Sequence, residues 1–488
     1  MKMMNLSLAA ATACVLATSA HALKTEDRVL KGNMQVEYTK APGDVNSITE
    51  MFTKGEVYGR LRSNMFWWDW DQSHENVSSI NDNNMWGLGG SLVYKTGFWN
   101  GLGATVGFYG TVPMTNDNTI GTTNYGKAGK DTYHTRPDGT EGAIGVFAEA
   151  YGEYKRGKTD LKIGRQMIDS KMLASNDTKM VPNTFEAAVI ENKDLPDTTV
   201  RLGYVMSQKL RDHQSFHSVI AYNDDTSKVY GNDDSGVHKG LKNTAIRAAG
   251  EDIDPEMILA TVSNKSIPNL KLEAEYVGLD GFFNTVVAEA NYQIKLSDAW
   301  TLTPGVRYLR QMDDGAGAIG GAALKGGVSS SAASGYTNPD SVDGSIIMAR
   351  LVAENGPLTL QAGYAKISDD ADIIAPWRGF PTGGYVRSMA QVDWLANTKN
   401  WAVKASYDFG KANIISGFKV AADYENINQD ELKGYYDRDI IHVDMWKTFK
   451  EVPNTEFKFR VGLVDSDMPY ASDKESYNEY RFEVNYLF

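Results

Sequence analysis

From residue 55 to the C-terminus, apolar and polar residues alternate with a period of two in segment after segment. Successive side chains of a strand point to opposite faces, so this pattern commits the chain to strands with one apolar and one polar face. In 282–296, Phe282, Val286, Ala288, Ala290, Tyr292, Ile294 and Leu296 share one face, and Thr285, Glu289, Asn291, Gln293 and Lys295 share the other. In 142–156, Ile144, Val146, Ala148, Ala150 and Tyr154 oppose Glu149, Tyr151 and Glu153. At the C-terminus, Tyr480, Phe482, Val484, Tyr486 and Phe488 alternate with Glu479, Arg481, Glu483, Asn485 and Leu487. Segments of about ten residues have the length of a tilted membrane-spanning strand. No apolar run of about 20 residues follows residue 22, which excludes a bundle of membrane-spanning helices.

Eighteen such segments begin near residues 55, 84, 101, 142, 158, 198, 215, 256, 269, 282, 299, 344, 357, 400, 413, 438, 455 and 476. Tight turns at 97–100, 156–158, 296–299, 355–357 and 410–413 alternate with long polar stretches at 67–83, 112–141, 168–197, 224–255, 312–343, 367–399 and 465–475. That layout predicts an all-β fold: a transmembrane antiparallel β-barrel of eighteen strands, with short periplasmic turns and long external loops. A count of sixteen stays open. The connection 278–281 is short where a long loop is expected, 208–214 is long where a turn is expected, and Pro304 would remove a ladder hydrogen bond inside a strand. A soluble β-sandwich or β-helix fits less well, since no repeat of roughly 20–50 residues is visible. Aromatics at strand ends (Trp67, Trp68 and Trp70; Phe98 and Trp99; Trp300; Trp401; Tyr486 and Phe488) suit the two membrane interfaces.

Lys2, the apolar stretch Leu6 to Ala17 and the small-residue site Ala20-His21-Ala22 read as a secretory signal cleaved after Ala22. Residues 23–54 carry no clear pattern and are assigned to a periplasmic N-terminal segment, leaving 55–488 for the barrel. The only cysteine is Cys14, so neither an intrachain disulfide nor a cysteine zinc site is expected. A formal net charge of −13 speaks against a nucleic-acid partner. There is no P-loop, GxSxG, HExxH or CxxC, and the expectation is no enzyme, no cofactor and no metal. His213 and His217 fall in a turn-to-strand region where their spacing is not expected to converge. Asp224-Asp225 and Asp233-Asp234 read as solvated loop acids.

Strand parity decides which charges face the lumen. Arg60 and Arg62 oppose Val57, Gly59, Leu61 and Met65; Arg201 opposes Val200, Leu202 and Tyr204; Arg307 opposes Leu302, Val306 and Tyr308; and Arg350 opposes Ile347, Ala349 and Leu351. Lys404, Lys419, Lys458, Arg460 and Arg481 follow from their own strands. Cations facing lipid would cost ~2–4 kcal/mol near the midplane, so all are expected inward. Glu56, Glu149, Glu153, Glu273, Glu289, Asp423, Glu425, Glu479 and Glu483 share the lumen by the same parity. The cations either guide anions or pair with these acids across neighbouring strands. Small inward residues (Gly103, Thr105, Gly107, Thr301, Thr303, Gly305) favour a porin: an open channel for passive diffusion of small hydrophilic solutes. The alternative is a closed surface structural or adhesive barrel acting through its external loops.

Two loop segments carry a more specific likeness. Gly164-Arg165-Gln166 followed by Ser175-Asn176-Asp177-Thr178-Lys179-Met180-Val181-Pro182-Asn183-Thr184-Phe185-Glu186 resembles the OprD family of outer-membrane porins. So does Ala375-Pro376-Trp377-Arg378-Gly379-Phe380-Pro381 followed by Tyr385-Val386-Arg387-Ser388-Met389. The resemblance implies an eighteen-stranded barrel whose third and seventh loops fold inward. Asn176, Asp177, Lys179, Pro182 and Phe185 would then lie at the constriction with Arg378 and Arg387. It further implies passage of carboxylates, basic amino acids or short peptides along a ladder of basic side chains. Lys179 stands where Arg is common. The implied setting is the outer membrane of a Gram-negative bacterium, among lipid and lipopolysaccharide, as a monomer, with a trimer also open. Phe488 resembles the C-terminal aromatic that the barrel-assembly machinery reads. The length and apolar content of 168–197 (Met172, Leu173, Phe185 and Ile190, with Pro182 and Pro196) independently suggest an inward fold.

Overall fold

The computed structural model describes residues 28–38, 42–71, 83–114, 132–135, 141–211, 213–222, 240–323, 335–389, 393–469 and 475–488. The expected signal segment with Ala22 and Cys14, and the acid pairs at 224–225 and 233–234, lie outside them.

Eighteen long strands close into one barrel. They are β1 (Glu56–Trp70), β2 (Asn83–Lys95), β3 (Leu102–Pro113), β4 (Ile144–Arg156), β5 (Thr159–Gln166), β6 (Thr184–Asn192), β7 (Thr198–Lys209), β8 (Met257–Asn264) and β9 (Leu270–Leu279). The second half comprises β10 (Phe283–Tyr292), β11 (Thr301–Asp313), β12 (Gly344–Asn355), β13 (Leu358–Ile367), β14 (Lys399–Asp408), β15 (Phe418–Asn428), β16 (Arg438–Phe449), β17 (Val452–Ser466) and β18 (Tyr477–Leu487). β18 pairs antiparallel with β1 from Tyr477↔Trp70 to Leu487↔Arg60. Phe488 completes the seam, with its N–H on the Gly59 carbonyl (3.1 Å) and its carbonyl on the Gly59 N–H (2.9 Å). A Cβ at residue 59 would press on the Phe488 ring, so glycine makes room there. Closure leaves no unpaired strand edge, the condition for sheet in lipid. The outer face is a band of exposed apolar side chains, including Leu202, Tyr204, Val306, Tyr308, Ile347 and Leu351.

The total of eighteen agrees with expectation, but one strand is relocated. β6 lies inside the stretch read as loop 168–197, and the segment from 215 is not a barrel strand; His217 makes a single antiparallel bridge to Gln208, and Ala221–Tyr222 pair, in parallel, with Leu241–Lys242. Val219, Ile220, Ala221 and Tyr222 are all buried, so neither parity faces lipid and the segment packs inside the barrel. Moving the strand shortens the third external loop (L3) to residues 167–183 and places Pro196 in a periplasmic turn. It also makes 210–256 a single long fourth loop (L4), which removes the conflict at 208–214. The connection 280–282 remains a short external loop. Pro304 sits on β11 opposite a break in the ladder: pairing with β10 stops at Asn291↔Gly305 and resumes at Ile294↔Leu302.

Two face assignments change. A bulge between Phe147 and Glu149 shifts the register of β4. Such an extra residue switches parity along a strand. Ile144, Val146, Glu149, Tyr151 and Glu153 are therefore all buried, while Phe147 and Tyr154 are exposed. At the end of β1 only Trp67 faces outward; Trp68 and Trp70 are buried in the lumen. The largest apolar cluster also lies inside the barrel, where L3, L4, the sixth loop (314–343) and the seventh (L7, 368–398) meet inward strand residues.

Candidate pore constriction

L3 crosses the lumen because its two ends are held by β9 and β7 while its middle is held by β1 on the other side of the barrel. On β9, Glu275 accepts hydrogen bonds from the N–H of Lys171 (2.7 Å), the N–H of Met172 (2.9 Å) and the Ser170 hydroxyl (2.8 Å). At the far end Lys209 Nζ donates to the Pro182 carbonyl (2.5 Å). Between them Asp177 reaches β1: its carboxylate pairs with Arg60 and, at 2.9 Å, with Arg62. Arg62 also donates to the Asp177 carbonyl at 2.9 Å. Arg211 donates to Asn176 Oδ1 (3.0 Å), and Asn64 donates to the Lys179 carbonyl (3.0 Å). Lys179 Nζ lies 3.5 Å from the Phe66 ring centroid. Met172, Leu173 and Phe185 are buried, Phe185 as an inward residue of β6; Ile190 on the same strand faces outward.

L7 enters from the other side. Arg307 donates to the carbonyls of Pro381 (2.9 Å) and Gly383 (3.0 Å), and Arg350 to that of Gly384 (2.8 Å). Both guanidiniums lie 4.6 Å from the Tyr385 ring centroid. Gln361 donates to the Tyr385 carbonyl (2.7 Å), Lys404 to that of Arg387 (2.6 Å), and Glu425 accepts from the Ser388 N–H (2.7 Å). Arg387 stacks 3.6 Å from the Phe380 ring centroid. Thr382 donates to the buried Asp393 carboxylate. Burial pushes the Asp393 carboxyl up to about 6, although Arg387 opposes the rise.

The loops meet in mid-lumen. Leu173 and Arg378 form an antiparallel bridge, and the Ala174 N–H donates to the Trp377 carbonyl (3.1 Å). Gly379 is required by this contact, because a Cβ there would collide with the Met172 carbonyl. Trp377 Nε1 donates to the Val219 carbonyl (2.7 Å), which fastens L4 to the same junction.

The basic side chains fall into groups. Arg60, Arg62 and Arg481 surround Asp177, Glu483 and Glu479, with Arg481–Glu479 at 2.9 Å and Arg62–Glu483 at 3.4 Å. Next to them Arg460 holds Asp444 in a two-pronged pair at 2.7 and 2.8 Å, and Lys458 lies 3.5 Å from the same carboxylate. Arg307 (2.7 Å), Lys171 (3.0 Å) and Arg350 (3.5 Å) converge on Glu289. Arg201 stands apart, 2.9 Å from Glu191. Lys419 is exposed, 5.5 Å from the Trp446 ring centroid. Residue types and parity did not reveal that Arg307 and Arg350 hold L7 carbonyls, nor that Glu275 and Lys209 hold L3. Glu275 shares the parity of Glu273, so its inward direction was available from the alternation. His213 and His217 do converge, with Nδ1 of the first 3.0 Å from Nε2 of the second; among the described residues no third metal-ligating side chain joins them.

Between L3 and the periplasmic turns lies a cavity of about 340 Å³. Lys31, Lys95, Lys162 and Arg201 line it with Glu37, Glu149, Asp160, Asp169 and Glu191, and Tyr38, Tyr58 and Tyr151 supply aromatic walls.

A family model described as outer membrane porin, OprD family, matches residues 54–488. Among solved structures, Acinetobacter baumannii OccAB3 is similar with a TM-score of 0.70 at 16% identity, over 89% of this chain and 99% of its own. Pseudomonas aeruginosa OccK8 (OprE) follows at 0.67 and 17%, over 90% and 99%. Pseudomonas aeruginosa OpdQ gives 0.63 and 18%, over 89% and 98%. At such identities the likeness carries the fold alone. No curated protein matches the sequence.

Proposed function

The chain belongs to the OprD family of outer-membrane porins, and from that premise we propose that its pore favours small zwitterionic solutes, free amino acids and short peptides, over simple anions. The porin itself is a passive outer-membrane channel for small solutes. The finer reading rests on one observation: the cavity beneath L3 is lined by four cations and five carboxylates interleaved on neighbouring segments. A single-sign lumen focuses ions of the opposite sign. Interleaved signs instead offer a zwitterion a carboxylate for its amine and a cation for its carboxylate. Rungs of the basic stripe that already hold acids within 4 Å have less field left to offer a free anion. We further assign Phe488 to recognition by the barrel-assembly machinery and the external rim to contact with lipopolysaccharide.

The test is flux and selectivity on one preparation. In planar bilayers under a KCl gradient the reversal potential should stay near zero. In liposome swelling, a zwitterionic amino acid should enter faster than a carboxylate of equal size lacking the amine. Strong anion selectivity with faster carboxylate entry would contradict the reading.

A further inference from the structure

Residues 28–38 belong to a segment expected in the periplasm, yet they fold as a two-stranded hairpin, Arg28–Leu30 against Val36–Tyr38, on the inner wall of the barrel. Its tip touches the constriction. The Arg60 guanidinium donates to the Met34 carbonyl (2.6 Å), the Asp177 N–H donates to the Asn33 carbonyl (2.8 Å), and Gln35 donates to the Ser175 carbonyl. Lower down, Tyr38 stacks on Tyr58 of β1, with centroids 5.1 Å apart and planes 10° apart. Met34 and Gln35 are buried. On its other side the hairpin forms one wall of the mixed-charge cavity through Lys31, Glu37 and Tyr38.

We propose that this hairpin is a displaceable plug, an intramolecular occupant of the solute path that must leave the constriction for full conduction. No strand ladder joins it to the barrel among the described residues: it is held by side-chain and loop hydrogen bonds at its tip, by the Tyr38–Tyr58 stack, and by packing of Val36 and Tyr38 in a small apolar cluster with Val93 and Tyr109. Its tether lies at the periplasmic rim, where Asp44–Val45 pair with Phe98–Trp99 and the short helix Ile48–Thr53 precedes β1. The chemistry of its hold is also the chemistry of a solute. Arg60 Nη1 binds a carbonyl oxygen of the hairpin, and a carboxylate oxygen arriving at L3 competes for that donor. Solute and plug therefore exclude one another at Arg60.

The inference stands apart from the solute class proposed above, because it is read with KCl alone. In one variant residues 28–38 are removed, with folding checked by circular dichroism and by the heat-dependent gel shift. Single-channel conductance should rise at least about twofold, since strand axes about 4.8 Å apart take up much of a lumen already narrowed by loops. In a second variant, Tyr38→Cys with Tyr58→Cys in a Cys14→Ser background, oxidation should hold the channel in its low state and reduction should restore wild-type openings. Unchanged conductance after the deletion, or equal traces in the oxidised and reduced forms, overturns the proposal.

Discussion

Replacing Asp177 with Asn should undock L3 without unfolding the barrel. The carboxylate sits between Arg60 and Arg62, and all three side chains are almost completely buried (1%, 0% and 2% exposed for Arg60, Arg62 and Asp177). After the change, Arg62 keeps Glu483 at 3.4 Å, whereas Arg60 keeps the Met34 carbonyl and no carboxylate within bonding range among the described residues. Removing one partner of a buried pair costs about 3–5 kcal/mol. Water in the lumen argues for the lower end, so about 3 kcal/mol, or roughly a hundredfold in the docking equilibrium of L3. The strand ladders do not involve Asp177, so the penalty falls on the loop. In planar bilayers the variant should show frequent larger-conductance episodes that wild type lacks, with an unchanged gel shift. Adding Arg60→Gln should recover part of the loss, because the uncompensated charge is then gone, and the double-mutant cycle should show coupling above about 0.5 kcal/mol. Wild-type conductance and noise in the single variant, or strict additivity in the cycle, would refute the argument.

Gly379→Ala should drive L7 from L3 through the clash with the Met172 carbonyl, widening the pore and lowering the threshold for protease cutting in L7. Glu275→Gln weakens three hydrogen bonds at the start of L3 and should raise conductance less than the Asp177 change, since the loop keeps its other anchors. Burial pushes the Asp393 carboxyl up to about 6 in the folded protein, above the usual carboxylate value of about 3.9. The docked loop therefore binds more protons than an undocked one between those values, and L7 docking should strengthen as pH falls from 7 to 5. Open-channel noise should drop over that range, and Asp393→Asn should remove the pH dependence; a rise in noise on acidification would contradict the sign. On the outer side the Asp372 carboxylate accepts from Tyr336 (3.0 Å), Tyr435 (2.7 Å) and the Ala396 N–H (2.7 Å), so Asp372→Ala should expose the sixth loop, L7 and the connection 429–437 to trypsin while leaving the gel shift intact.

What the sequence disclosed followed physical visibility. A strand between lipid and water must alternate, so seventeen of the eighteen strands lie where the alternation puts them. β6 escaped because Ala187, Ala188, Val189 and Ile190 are apolar in succession, and its inward face packs into the loop core instead of water. The segment from 215 imitated a strand, but its second half, Val219 to Tyr222, is apolar and buried on both sides for the same reason. The bulge in β4 left no mark in the alternation, since both Val146 and Glu149 suit an inward position when one meets Val181 and the other the Tyr109 hydroxyl (2.8 Å). Site chemistry was less legible. Parity gives the direction of Arg307 and Arg350 but not their partners, which are loop carbonyls 34 to 76 residues away in sequence. The hairpin at 28–38 is too short to show a period and is positioned by contacts with Arg60 and Asp177.

L3, meeting L7 across the lumen, is expected to set the limiting width of this porin. The direct measurement is single-channel conductance of purified protein in which residues 172–181 are replaced by a short glycine-serine link. This replacement ends before β6, so the barrel wall is untouched. The variant should be a folded, heat-modifiable barrel with conductance well above wild type and faster entry of solutes too large for the native pore. A folded barrel with wild-type conductance and the wild-type size limit would contradict it.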